Sequence, residues 1–90
     1  MSGKPSSKDR AGIIRKGNEF FNLKQYEKAA KLFWHADYYD GLNRIGEFLL
    51  YEEQKPFQAL LYFKKTKNQH KIHEIIGRML FALRTMVKKD

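Results

Sequence analysis

Cysteine is absent from the ninety residues of this chain, which excludes disulfides and thiolate zinc sites and makes the reducing cytoplasm the expected compartment. Proline occurs only at 5 and 56, so long helices can run unbroken between those two points. Acidic residues are scarce in the second half: residues 55–90 carry nine Lys or Arg against Glu74 and Asp90, a net +7. Residues 1–54 carry nine against eight, a net +1. No apolar run approaches the length of a membrane span, and MSGKPSSKDR has no apolar core of a secretion signal. No glycine-rich phosphate loop is present, and carboxylates are scattered along polar helix faces rather than paired. An enzyme is not expected. His70 and His73 share a helix face, but an i,i+3 histidine pair with no cysteine is a weak signal, so neither a metal nor a cofactor is expected.

What the chain does contain is enough apolar matter for one small core: 42% hydrophobic and 14% aromatic residues. The polar stretch 1–7 is expected to be a disordered tail and 8–90 a single helical domain. Helical spacing predicts five helices: Lys8–Phe21, Gln25–Ala36, Tyr38–Glu53, Pro56–Thr66 and Gln69–Lys88. Ser6 or Ser7 is expected to cap the first helix and Asp37 the third, while Pro56 suits the first turn of the fourth. The fifth has apolar residues at Ile72, Ile75, Ile76, Met79, Leu80, Leu83, Met86 and Val87, all expected to cover the hairpin before it.

The segments repeat. A shift of thirty lays QKPFQALLYF (54–63) on KQYEKAAKLF (24–33), placing Ala59 on Ala29 and Phe63 on Phe33. The same shift carries Leu42 to Ile72, Ile45 to Ile75, Leu49 to Met79 and Leu50 to Leu80. Between the first and third helices the better shift is twenty-nine: Ile13 to Leu42, Gly17 to Gly46, Phe20 to Leu49. One extra residue in the turn before Pro56 is expected to account for the difference. Ala29 and Ala59 are expected to be buried at close helix crossings.

The order Gly17, Phe20, a turn at Asn22-Leu23-Lys24, then Tyr26, Ala29, Phe33 and Ala36 resembles the tetratricopeptide repeat, a helical hairpin of about 34 residues. The resemblance implies an all-α fold: two stacked hairpins and a C-terminal capping helix, together a fragment of a right-handed α-solenoid. It further implies a concave groove formed by the first helix of each hairpin, which holds a peptide or helix of a partner protein. Carried onto this chain, the groove positions are Ile14, Asn18, Phe21 and Asn22; then Asn43, Glu47, Leu50 and Tyr51; then His73, with Leu80, on the last helix. Phe20 takes the packing position and Phe21 the groove. The lysine with which some chaperone-associated members clamp a terminal carboxylate is replaced here by Ile14, which suits an apolar or helical ligand.

The expected function is therefore a protein-binding module, as adaptor, scaffold or chaperone-like subunit, itself monomeric or weakly self-associating. Its excess of positive charge suits an acidic partner. The alternative is a basic nucleic-acid-binding domain using KKTKNQHK (64–71), although no aromatic residues interleave with that run as a stacking platform requires.

Overall fold

The computed structural model of the chain describes residues 6–88. Among them there are five α-helices and no strand: α1 (Ser7–Asn22), α2 (Tyr26–His35), α3 (Tyr39–Glu47), α4 (Pro56–Lys65) and α5 (Gln69–Lys88). The all-α fold built of helical hairpins agrees with the periodicity. Of the tail expected at 1–7, residues 1–5 lie outside the described residues. Ser6 caps α1 by accepting the Asp9 N–H on its hydroxyl, and Ser7 opens the helix.

The chain divides into two compact units, one ending at Ile45 and the other beginning at Gly46. In the first, α1 packs on α2 around Phe33, which is fully buried with Ala29. Glycine permits this approach. A Cβ on Gly17 would lie 2.6 Å from the Phe33 ring, and one on Gly41 would also come within 2.6 Å of it. At the open end of α2, Arg10 Nε donates to the Ala36 carbonyl at 2.7 Å and Nη2 to that of Asp37 at 3.3 Å. Those carbonyls have no intrahelical donor, and the guanidinium meets the negative end of the helix dipole.

The second unit repeats this arrangement. Phe63 and Ala59 are fully buried, Gly46 lies against the Phe63 ring with room for no more than hydrogen, and Ile75 and Leu50 complete the core. Ala29 and Ala59 thus have the burial that the repeat requires. The turns repeat as well. Lys24, Asp37, Gln54 and Lys67 all have positive φ, and the thirty-residue shift relates them in pairs. After α1, α2 and α4 the chain closes with paired bonds: Gln25 N–H to Phe20 O, Tyr38 to Phe33 and Asn68 to Phe63, each with an inner three-residue bond beside it. This is the Schellman closure, which needs one left-handed residue and usually takes glycine.

Three details differ from the sequence-based expectation. Asp37 is not a helix cap, because its backbone is in the left-handed region and closes α2, leaving Tyr38 to precede α3. The extra residue of the second repeat is not in the turn. It is absorbed within the helix, where Phe48–Glu52 forms a π-helical turn and Lys55 N–H reaches back six residues to Leu49 O. A single inserted residue in an α-helix is accommodated in this way. Finally, α5 does not bury all eight of its apolar residues. Ile75 is buried and Ile72 and Met79 pack beside it, whereas Ile76, Leu80, Leu83, Met86 and Val87 are exposed. For the distal turns the reason is length: α4 has ten residues and α5 twenty, so those turns run beyond anything α4 can cover, whereas Ile76 lies within that span but points about 100° away from its buried neighbour Ile75.

Candidate functional site

The expected groove residues fall in both units, and each unit is described separately. In the first, Ile14, Asn18, Phe21 and Asn43 are half-buried and Asn22 is exposed. Arg44 organises this surface. Its Nη2 donates to Asn18 Oδ1 at 2.8 Å, and its guanidinium lies 5.2 Å from the Phe21 ring centre. Phe21 also meets Tyr26 edge to face at 5.1 Å. Phe20 is not the buried member of the pair. Both rings are half-buried, and Phe20 is flanked by the ammonium groups of Lys16 and Lys28 at 5.3 and 5.5 Å. Adjacent residues are about 100° apart on a helix, and here each direction has its own cover. Phe21 is thus an aromatic already stacked on a cation, not a bare anchor.

In the second unit Leu50 is only 3% exposed and packs with Ala59, Phe63 and Ile75. It is a core residue, which corrects its placement among side chains presented to a partner. Glu47 and His73 are exposed on helix surfaces, as is Leu80. Tyr51 is the centre of a polar cluster that periodicity alone does not show. Its hydroxyl donates to Glu74 Oε2 at 2.6 Å and accepts from Lys71 Nζ at 2.7 Å, while Arg78 donates to the same carboxylate oxygen at 3.0 Å. The Tyr51 ring carries Lys71 at 4.8 Å on one approach and Arg78 at 5.3 Å on another. The Tyr51 hydrogen bond holds the Glu74 carboxyl below its ordinary range against the opposing effect of desolvation, and Lys71 and Arg78 reinforce it. The same hydroxyl, outweighing desolvation and aided by Glu74, raises the Lys71 ammonium. The spacing of 71, 74 and 78 marks them as one face of α5; that Tyr51 would join them is a tertiary fact.

Beside this cluster is an open cleft of about 400 Å³. Leu50, Ile75 and Met79 line it with apolar surface, Pro56 and Ala82 extend that surface, and Tyr51, Gln54 and Arg78 supply polar atoms. Small apolar surfaces with a few convergent polar groups suit a side chain or a short helical segment of another molecule. Among the described residues, no group of three or more His, Cys, Asp or Glu side chains is placed to hold a metal ion. Nor is any described helix long and apolar enough to cross a membrane. The basic run 64–71 turns the corner from α4 to α5, with Lys64 and Lys67 exposed and Lys71 committed to Tyr51 and Glu74.

No protein-family model matches the chain, and no solved structure matches it. The chain is similar to a protein of Treponema pallidum (strain Nichols), itself uncharacterized: the two are 29% identical over 82 residues, covering 91% of this chain and 78% of that protein.

Proposed function

We propose that the protein is a helical protein-interaction module that holds a helix or an extended segment of a partner. The observation that supports this reading is the cleft of the second unit, where Pro56, Met79 and Ala82 offer apolar surface over the buried Leu50 and Ile75, framed by the hydrogen-bonded side chains of Tyr51 and Arg78. A rigid aromatic and an arginine beside an apolar depression are the residue types that carry binding energy at protein interfaces. The basic balance of residues 55–90 favours a partner segment of acidic character. The likeness to the tetratricopeptide repeat supports the same class of function.

The test is to isolate partners on the full chain, identify them, and measure their affinity calorimetrically for the wild type, Tyr51→Ala and Met79→Glu. Each substitution should weaken binding by about 1–2 kcal/mol, with a modest dependence on salt. Nuclease-sensitive binding that falls steeply with salt would replace this reading with a phosphate-driven one.

A further inference from the structure

The thirty-residue shift that relates the two units also carries Phe21 to Tyr51 and Arg44 to Glu74. In each unit an aromatic ring thus meets a charged residue two helices on, and the sign of that charge is reversed between the units. In the second unit the charge is answered within the chain. Glu74 accepts from the Tyr51 hydroxyl at 2.6 Å, from Arg78 at 3.0 Å and from Lys71 at 3.4 Å.

None of those three donors has a counterpart of opposite sign around Arg44. The shift puts Phe21 in place of the hydroxyl-bearing ring, Gly41 in place of Lys71 and Phe48 in place of Arg78. Arg44 has one hydrogen bond, from Nη2 to Asn18 Oδ1 at 2.8 Å, and lies over the Phe21 and Phe33 rings at 5.2 and 5.9 Å. An amide oxygen and two rings attract a guanidinium but carry no net charge. Among the described residues no carboxylate comes within 4.0 Å of it. Asp40 and Glu47, one turn to either side on α3, are both exposed. Charges withdrawn from water are ordinarily paired with an acid or base. This half-buried one is not paired by its own unit.

The shape of the cation selects its ligand. A guanidinium is a planar fork of five N–H groups, of which Arg44 gives one to Asn18, and such a fork fits the two oxygens of a carboxylate. One carboxylate balances its single charge. The surroundings select what stands beside that carboxylate. Ile14, Asn18 and Phe21 follow at spacings of four and three, so they share one face of α1, with Asn18 in the middle. Ile14 and Phe21 are half-buried and about 10 Å apart along the helix axis. Apolar surface therefore lies on both sides of the residue that holds Arg44. A chain end arrives with a neighbour on one side only, whereas an internal Asp or Glu brings one on each.

We propose that Arg44, held by Asn18 and stacked on Phe21, is a carboxylate-binding site of the first unit. Its ligand is an Asp or Glu side chain inside a partner segment, with apolar residues on either side. This rests on the protein-binding reading above and adds a contact made by residues other than those of the cleft.

The experiment selects short random peptides on the full chain from a library in which both peptide ends are joined to a carrier, so that no terminal carboxylate is free. Enriched sequences are then made as acetylated amides, each beside a twin with Gln for Glu or Asn for Asp. The acidic form should bind about tenfold or more tighter than its twin. Arg44→Gln should weaken the acidic form by a similar factor and remove the difference between the twins, which loss of stability alone would not do. Melting curves establish that the variant folds. If it does not, Arg44→Lys keeps the charge without the fork and should bind the acidic form several-fold more weakly than the wild type does. Enriched peptides without acids, twins of equal affinity, or a preference for the acid that survives Arg44→Gln or is untouched by Arg44→Lys overturn the proposal. So does a neutral twin that regains full affinity once its C-terminus is left free, because the site would then read chain ends. Peptides released by Met79→Glu but not by Arg44→Gln overturn this inference and leave the cleft reading standing. A library that yields nothing overturns it too, and if the full chain also captures no partner, the broader reading falls with it.

Discussion

Phe33 and Phe63 occupy the same place in the two units, and in each the backbone of a preceding glycine touches the ring. The separation of Gly17 from Phe33 and of Gly46 from Phe63 is readable in the sequence as a helix-crossing pattern. That Gly41 also lies on Phe33 is not, because the contact depends on where α3 enters. The added methyl of Gly17→Ala, Gly41→Ala or Gly46→Ala has no space, and each should lower stability by about 1–3 kcal/mol through overpacking in a urea titration. Gly77 is the control. Nothing lies within 4 Å of a Cβ built there, so Gly77→Ala should instead stabilise α5 by about 0.5–1 kcal/mol through lower backbone entropy in the unfolded chain. The same reasoning applies at Lys67, a non-glycine residue with φ of 58° in a helix closure. Replacing it by glycine relieves left-handed strain of about 1–2 kcal/mol against a smaller entropy cost, so the melting temperature should rise.

At the scale of the element, the second unit differs from the first by one residue, and the difference sits within the helix. A shift that changes from twenty-nine to thirty tells the reader that an insertion exists but not where the backbone takes it up. Turn and helix are both able to absorb one residue; here the Phe48–Glu52 turn widens to π geometry, and Tyr51 within it reaches Glu74. The resulting cluster has a pH signature. Because the Glu74 carboxyl is depressed in the folded state, its contribution is complete above the ordinary glutamate value of about 4.3 and is lost as pH falls through the lower folded value. Lys71 is raised, so its contribution is complete below the ordinary lysine value of about 10.4 and does not vary between neutral and acid pH. Glu74→Gln should therefore cost about 0.5–1 kcal/mol at pH 7. The gap between wild type and variant should close as the pH is brought below about 4. A constant gap across the series would mean that the carboxylate charge plays no part.

At the scale of the whole molecule, the two halves of α5 have different duties. Its first eleven residues supply Ile72, Ile75 and Met79 to the core of the second unit, and residues 80–87 contribute no buried side chain. Removing residues 69–90 should uncover Leu50, Ala59 and Phe63 and abolish cooperative melting of the second unit. Removing only 83–90 should change the melting temperature little, because Leu83, Met86 and Val87 are already exposed. If the shorter truncation unfolds the protein as fully as the longer one, the distal turns have a folding role that their exposure does not reveal.

Local physics wrote the helices into the sequence. Apolar spacing, Pro56 at a first turn and the thirty-residue recurrence of Ala and Phe determine five helices, their approximate ends and the residues that fill each hairpin, since those depend on side-chain direction along one helix. Three outcomes depended on which helix lies beside which, and only tertiary structure decided them. Leu50 became core rather than groove because α4 covers it. Phe20 and Phe21 shared their burial because lysines flank one ring while Tyr26 and Arg44 flank the other. The amphipathic face of α5 was fully legible, but how much of it would be covered was set by the ten-residue length of the neighbour it packs against. Periodicity reports which face a helix would bury; the reach of its partner determines how much of that face leaves water.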